Sequence, residues 1–202
     1  MSSGRERLAA VAPAMLLAML LGGCGDESFH GKDISHLMPP LDFELVDERG
    51  EAVTEQVFAG RPVAMYFGFT HCPDVCPTTL ARLAAAARRL PEQARGRLQL
   101  AFVSVDPARD GPAQLAAYTA AFSEDMVGLT GSQRQLQALT RRYRITYGYD
   151  ERDAAGNYDV SHSSAVWVFN ERLEPEVMLF DDLSIEQVAD DLGRVVGGGE
   201  IP

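Results

Sequence analysis

The sequence predicts a mixed α/β sandwich, and three observations carry that prediction. Three apolar runs, PVAMYFGF at 62–69, LQLAFVSV at 98–105 and AVWVF at 165–169, suit strands covered on both faces. Segments with apolar residues at helical spacing alternate with them. A second strand and a last helix then close the chain, giving an order in which strands and helices share one sheet. Composition agrees: 46% of the 202 residues are hydrophobic, which excludes wholesale disorder and collagen-like repeats.

The elements follow in order. Arg5 and Arg7 precede an uncharged apolar run at 8–21. A membrane-spanning helix needs about 20 such residues, whereas the core of an export signal needs roughly 7–15. The run ends in Leu21-Gly22-Gly23-Cys24, which resembles the lipobox of bacterial lipoproteins, where the signal is cut before the Cys and that Cys is lipidated. The expected organisation is a signal peptide at 1–23, lipidated Cys24 and a linker at 24–41, a folded domain at 42–197 and a tail at 198–202. His30 and His36 lie in the linker, which ends near Pro39-Pro40, and read as solvated. The domain is then expected on the periplasmic side of a bacterial cell envelope, held to the membrane by lipid.

Phe43, Leu45, Val53 and Val57 flank Asp47-Glu48-Arg49-Gly50, a hairpin signal. The run at 62–69 is the central strand. Leu80, Leu83, Ala84, Ala87 and Leu90 share one face of a helix at 77–90. The strand at 98–105 precedes a helix at 112–122 with Pro112 near its first position. A third helix, at 132–143, is capped by Ser132 and carries Leu136 and Leu139. The strand at 165–169 pairs with one at 176–180 across a turn near Glu174-Pro175. Ile185, Val188 and Leu192 mark a last helix at 184–196, ending at Gly197-Gly198-Gly199. This order is that of a thioredoxin-like fold with an N-terminal β-hairpin and an insertion between its two halves.

Charge and cysteine usage narrow the function. The net charge of −11 argues against a nucleic-acid partner, because phosphate binding needs a concentrated basic surface. The cysteines are Cys24, Cys72 and Cys76. Three are too few for a disulfide scaffold, and with Cys24 assigned to the anchor one pair remains. That pair sits in Thr70-His71-Cys72-Pro73-Asp74-Val75-Cys76-Pro77, after the central strand. Pro73 holds Cys72 out of the α region, and Pro77 places Cys76 near the N-cap of the next helix. There the helix dipole is expected to favour thiolate. A turn of this spacing lets both sulfurs close a disulfide or grip one soft metal ion. His71 adjoins Cys72 but points the other way on an extended segment. His162, in Val160-Ser161-His162-Ser163-Ser164 just before the run at 165–169, is the better third ligand. Two thiolates and one imidazole suit Cu(I), or Cu(II) with an added ligand, whereas structural zinc usually takes four protein ligands.

With CPDVCP at 72–77, SVDPARD at 104–110 and VSHS at 160–163, the stretch from Phe43 to Leu192 resembles the Sco/SenC family of copper-binding, thioredoxin-fold proteins. The resemblance implies copper held by Cys72, Cys76 and His162. It also implies delivery of that copper to the binuclear copper site of cytochrome c oxidase. The partners would be the copper-bearing oxidase subunit and a periplasmic copper donor. The family often has Asp just before the ligand His, where this chain has Ser161, so the tuning charge is missing there. Asp106, Ser161 and His71 are candidates for groups around the ligands. An alternative function is a thiol–disulfide reductase that keeps the oxidase's copper-site cysteines reduced. A peroxidase is disfavoured, since Pro73 occupies the position where that chemistry uses a Thr.

Overall fold

The computed structural model describes residues 28–153 and 158–197; the expected signal peptide, Cys24 and the tail at 198–202 lie outside them. In chain order the strands are β1 (Lys32–Asp33), β2 (Glu44–Asp47), β3 (Ala52–Thr54), β4 (Val63–Gly68), β5 (Gln99–Ser104), β6 (Val127–Thr130), β7 (Tyr147–Tyr149), β8 (Val160–His162), β9 (Val166–Phe169) and β10 (Pro175–Leu179). The helices are α1 (Val75–Arg89), α2 (Glu92–Arg97), α3 (Pro112–Ala120), α4 (Gln133–Arg142) and α5 (Ile185–Gly197). The fold class is the expected one, thioredoxin-like α/β.

One eight-stranded sheet runs β1-β10-β9-β4-β5-β6-β2-β3. β4, β5 and β6 are parallel, while β9 joins β4 and β2 joins β6 antiparallel. Every residue of β4 and β5 is buried, as unbroken apolar runs require when helices cover both faces. Phe67 on β4 meets Trp167 on β9 edge to face at 5.5 Å, and Tyr66 lies against Phe102 on β5. The expected hairpin is β2–β3, its turn fastened by Asp47. Ser132 caps α4 in a reciprocal box with Gln135.

Several expectations need correction. The expected linker is docked along its described part: β1 pairs with β10, and Ile34 and Leu41 are buried. His36 is exposed as expected, but His30 pairs with Asp190 at 2.9 Å. The turn before β10 is at 170–173, with Leu173 at φ 62, and Pro175 begins the strand. Beyond the expected set are the short elements β1, α2 and β6, a 3-10 turn at Glu55–Phe58 that takes in Val57, and the two-stranded hairpin β7–β8, which forms the insertion between the halves. No helix among the described residues is long and apolar enough to cross a membrane.

Candidate metal centre

The centre is built where β4 ends against α1. Beyond β4 the chain turns through Thr70 and His71, and the Cys72 N–H donates to the Phe69 carbonyl at 3.3 Å. Cys72 therefore sits in a loop, as expected, and is half-buried. Cys76 is not the N-cap: Asp74 holds that position and Cys76 lies inside the first turn of α1. Pro77 is tolerated there because N–H groups in a first turn have no intrahelical partner to lose. The free N–H of Cys76 finds one in the Cys72 sulfur, at 3.3 Å.

The cavity for the Cys76 sulfur exists because Gly68 has no side chain. A Cβ on Gly68 would stand 2.7 Å from Cys76 Sγ and 3.1 Å from Phe102. Sequence reasoning missed Gly68; its place at the end of a strand otherwise filled by large apolar residues is the signal that could have found it.

His162 arrives from β8, the last residue of a strand rather than part of a loop. Its Nε2 lies 3.1 Å from Cys76 Sγ. Its Nδ1 donates to the Ser163 carbonyl at 2.9 Å, which fixes the tautomer and leaves the Nε2 lone pair facing the sulfurs. Tyr66 and Phe69 hold the ring edge-on at 5.9 and 5.8 Å. The ligand atoms of Cys72, Cys76 and His162 all lie within 4.8 Å of one another.

Burial sets the protonation states. It pushes the Cys76 thiol up to about 12, and the hydrogen bond from the Phe69 backbone only partly offsets this. The expected dipole-stabilised thiolate is therefore corrected at Cys76, where loss of water outweighs the helix end. Burial also lowers His162, keeping its imidazole neutral against the pull of the Ser163 contact. Without an ion the centre is a protonated thiol facing a neutral imidazole. An incoming soft cation would exchange for a proton. Two sulfurs and one imidazole fit such an ion and leave room for a ligand from elsewhere.

The remaining candidates lie around this group. His71 turns away from the sulfurs, its Nδ1 3.4 Å from Asp110 Oδ1. Ser161 is exposed and directs its hydroxyl to the Gly148 carbonyl. Asp106 is fully buried, paired with Arg109 and accepting from the Tyr158 hydroxyl at 2.7 Å. It reaches the centre only through other side chains.

Comparison with known proteins is consistent across sequence and structure. The SCO1/SenC family model matches residues 37–197. The human "Protein SCO2 homolog, mitochondrial" is 38% identical over 158 residues, covering 76% of this chain and 58% of that protein. The chain thus spans about three-fifths of the length of such relatives. Arabidopsis thaliana ScoI with copper bound superposes with a TM-score of 0.73 at 31% identity, over 79% of this chain and 98% of that one. Yeast Sco1 with copper bound gives 0.73 at 29% identity, over 81% and 92%.

Proposed function

This chain belongs to the SCO1/SenC family, and from that premise we propose that it binds a single copper ion through Cys72, Cys76 and His162. It delivers that ion to the binuclear copper site of cytochrome c oxidase. The observation that carries the reading is the convergence of two sulfurs and one tautomer-fixed imidazole within 4.8 Å. The donor set suits copper, and structures named as copper-bound share the fold. The copper is cargo: the ion enters from a periplasmic donor and leaves by ligand exchange to the copper-bearing oxidase subunit. Cys24 carries the lipid that keeps the domain at the outer face of a bacterial cytoplasmic membrane or beyond it.

The same two thiols support the reductase reading, since both are free and adjacent. His162 separates the two. A dithiol that only exchanges disulfides has no use for an imidazole aimed at its buried sulfur. The test is titration of the reduced domain with Cu(I) against a chromogenic chelator. A single ion per chain is expected, with at least about a tenfold loss of affinity in His162→Ala. Equal affinity in the variant would remove His162 from the site and favour the reductase.

A further inference from the structure

The turn after β5, Val105 to Asp110, holds two fully buried carboxylates, Asp106 and Asp110, that the ligand set does not use. Asp110 accepts from the Thr70 N–H at 2.8 Å, from the Thr70 hydroxyl at 2.7 Å and from Ser104 Oγ. Thr70 is two residues before Cys72. Asp106 accepts from Arg109 Nε and from the Tyr158 hydroxyl. Arg109 Nη1 donates to the Tyr158 carbonyl at 3.0 Å, and its guanidinium lies 3.8 Å over the Tyr158 ring. Tyr158 leads into β8 and so into His162. Tyr149, on the facing strand β7, donates its hydroxyl to the Val105 carbonyl. On its other side Arg109 lies 5.6 Å from the Phe69 ring, which is itself 5.8 Å from His162.

Two features make this more than packing. β7 and β8 have three residues each and pair only with each other, and an isolated pair of that size is marginal in water. Something else must set where it stands. Burying carboxylates with their partners is a weak source of stability, so what this network can supply is a fixed geometry.

We propose that Asp106, Arg109 and Asp110 position the thiol–imidazole centre from one turn, Asp110 holding the loop of Cys72 and the Asp106–Arg109 pair holding, through Tyr158, the hairpin of His162. The proposal rests on the copper reading only for its metal readout. Arg109→Ala frees the hairpin, so His162 no longer stays over Cys76. Tyr158→Phe removes one hydrogen bond, keeps the ring, and acts more weakly in the same direction.

The experiment measures Cu(I) affinity of the reduced domain for Arg109→Ala and Tyr158→Phe, each with and without His162→Ala. Arg109→Ala should cost about 10–100-fold, the usual range for a group that orients a metal ligand. In the His162→Ala background it should cost nothing further. Asp47→Asn, in the β2–β3 turn toward the far edge of the sheet, is the control: it lowers stability at neutral pH and leaves copper affinity alone. A second readout needs no metal: Cys76, followed by peptide mass spectrometry, should react faster with a thiol reagent in Arg109→Ala than in the wild type. Equal losses with and without His162, or unchanged affinity together with unchanged Cys76 reactivity, would overturn the positioning role. A wild type that binds no copper would sink the copper reading, and the Cys76 rate would still decide this one. If Arg109→Ala does not fold, Tyr158→Phe carries the same comparison.

Discussion

Gly68→Ala puts a single methyl into the narrowest part of the centre. The new Cβ would lie 2.7 Å from Cys76 Sγ, 3.1 Å from Phe102 Cε2 and 3.3 Å from Tyr66 Cε1. Ordinary contact begins near 3.4 Å, so the sulfur and the strand must separate by about 0.7 Å. Neither neighbour yields easily, because β4 is paired on both sides and Cys76 is locked in the first turn of α1. Overpacking of this kind costs about 1–3 kcal/mol, offset by about 0.4–1 kcal/mol from the stiffer unfolded chain. At mid-range, about 2 less about 0.7, the net loss of about 1.3 kcal/mol should lower the thermal midpoint by roughly 2–4 °C per kcal/mol. Copper affinity should suffer more than stability. Metal sites tolerate errors of only about 0.2 Å in ligand distance, and a shift of about 0.7 Å exceeds that. Differential scanning calorimetry of the apo domain and chelator competition for Cu(I) give the two numbers. A variant with wild-type midpoint and wild-type affinity would refute the claim that Gly68 shapes the sulfur's cavity.

Three further outcomes follow from the sequence and structure. Burial alone would raise the Asp47 carboxyl, but the N–H groups of Glu51 and Arg49 and the Arg49 guanidinium outweigh it and hold it below the usual carboxylate range. Its stabilisation is therefore complete above the unfolded value near about 3.9 and disappears as pH falls through the folded value. Asp47→Asn should be less stable than the wild type at neutral pH, with the gap closing in acid; urea unfolding across a pH series checks this, and a constant gap contradicts it. Oxidation in air should join Cys72 to Cys76 and abolish Cu(I) binding, and mass spectrometry showing two free thiols afterwards counts against a redox pair. Cys24→Ser should release the domain from membranes or block processing; unchanged fractionation and processing would argue for an uncleaved anchor instead.

The parts of this fold that were legible in the sequence are those whose signal is burial. β4, β5 and β9 read directly because both faces are covered, so their runs are almost wholly apolar, Gln99 and Ser104 at the ends of β5 being the exceptions. The cap of α4 read directly because Ser132 is a favoured N-cap type, and the structure adds Gln135 as its reciprocal partner. What escaped is what tertiary contacts impose. α2 is EQARGR with no buried residue, and so has no hydrophobic period to find. β1 is an exposed Lys-Asp pair that becomes a strand only because β10 offers an edge. β7 and β8 are three residues each, shorter than the window in which alternation means anything. At the site, residue type and spacing identified Cys72, Cys76 and His162 as candidates, and the fold brings them together. Protonation was not legible: Cys76 was assigned a helix-dipole environment, whereas its sulfur lies beneath β4 and away from water.

That burial gives the two sulfurs different roles. Cys76 is fully enclosed, with Gly68 on one side and His162 on the other. With no exposed surface, it is out of direct reach of a partner's disulfide. Cys72 is half-buried at the mouth of the centre and is the sulfur a partner meets first. On the copper reading, Cys72 would be the side from which a partner ligand could engage the ion. On the reductase reading, Cys72 is the accessible attacking thiol and Cys76 the resolving one, and on either reading the buried Cys76 must first lose its proton, since thiolate is both the nucleophile and the metal ligand. Burial therefore sets the same requirement, loss of the Cys76 proton, for holding an ion and for closing a disulfide, and it is the His162 imidazole 3.1 Å from that sulfur, not the protonation of Cys76, that bears on which of the two the centre does.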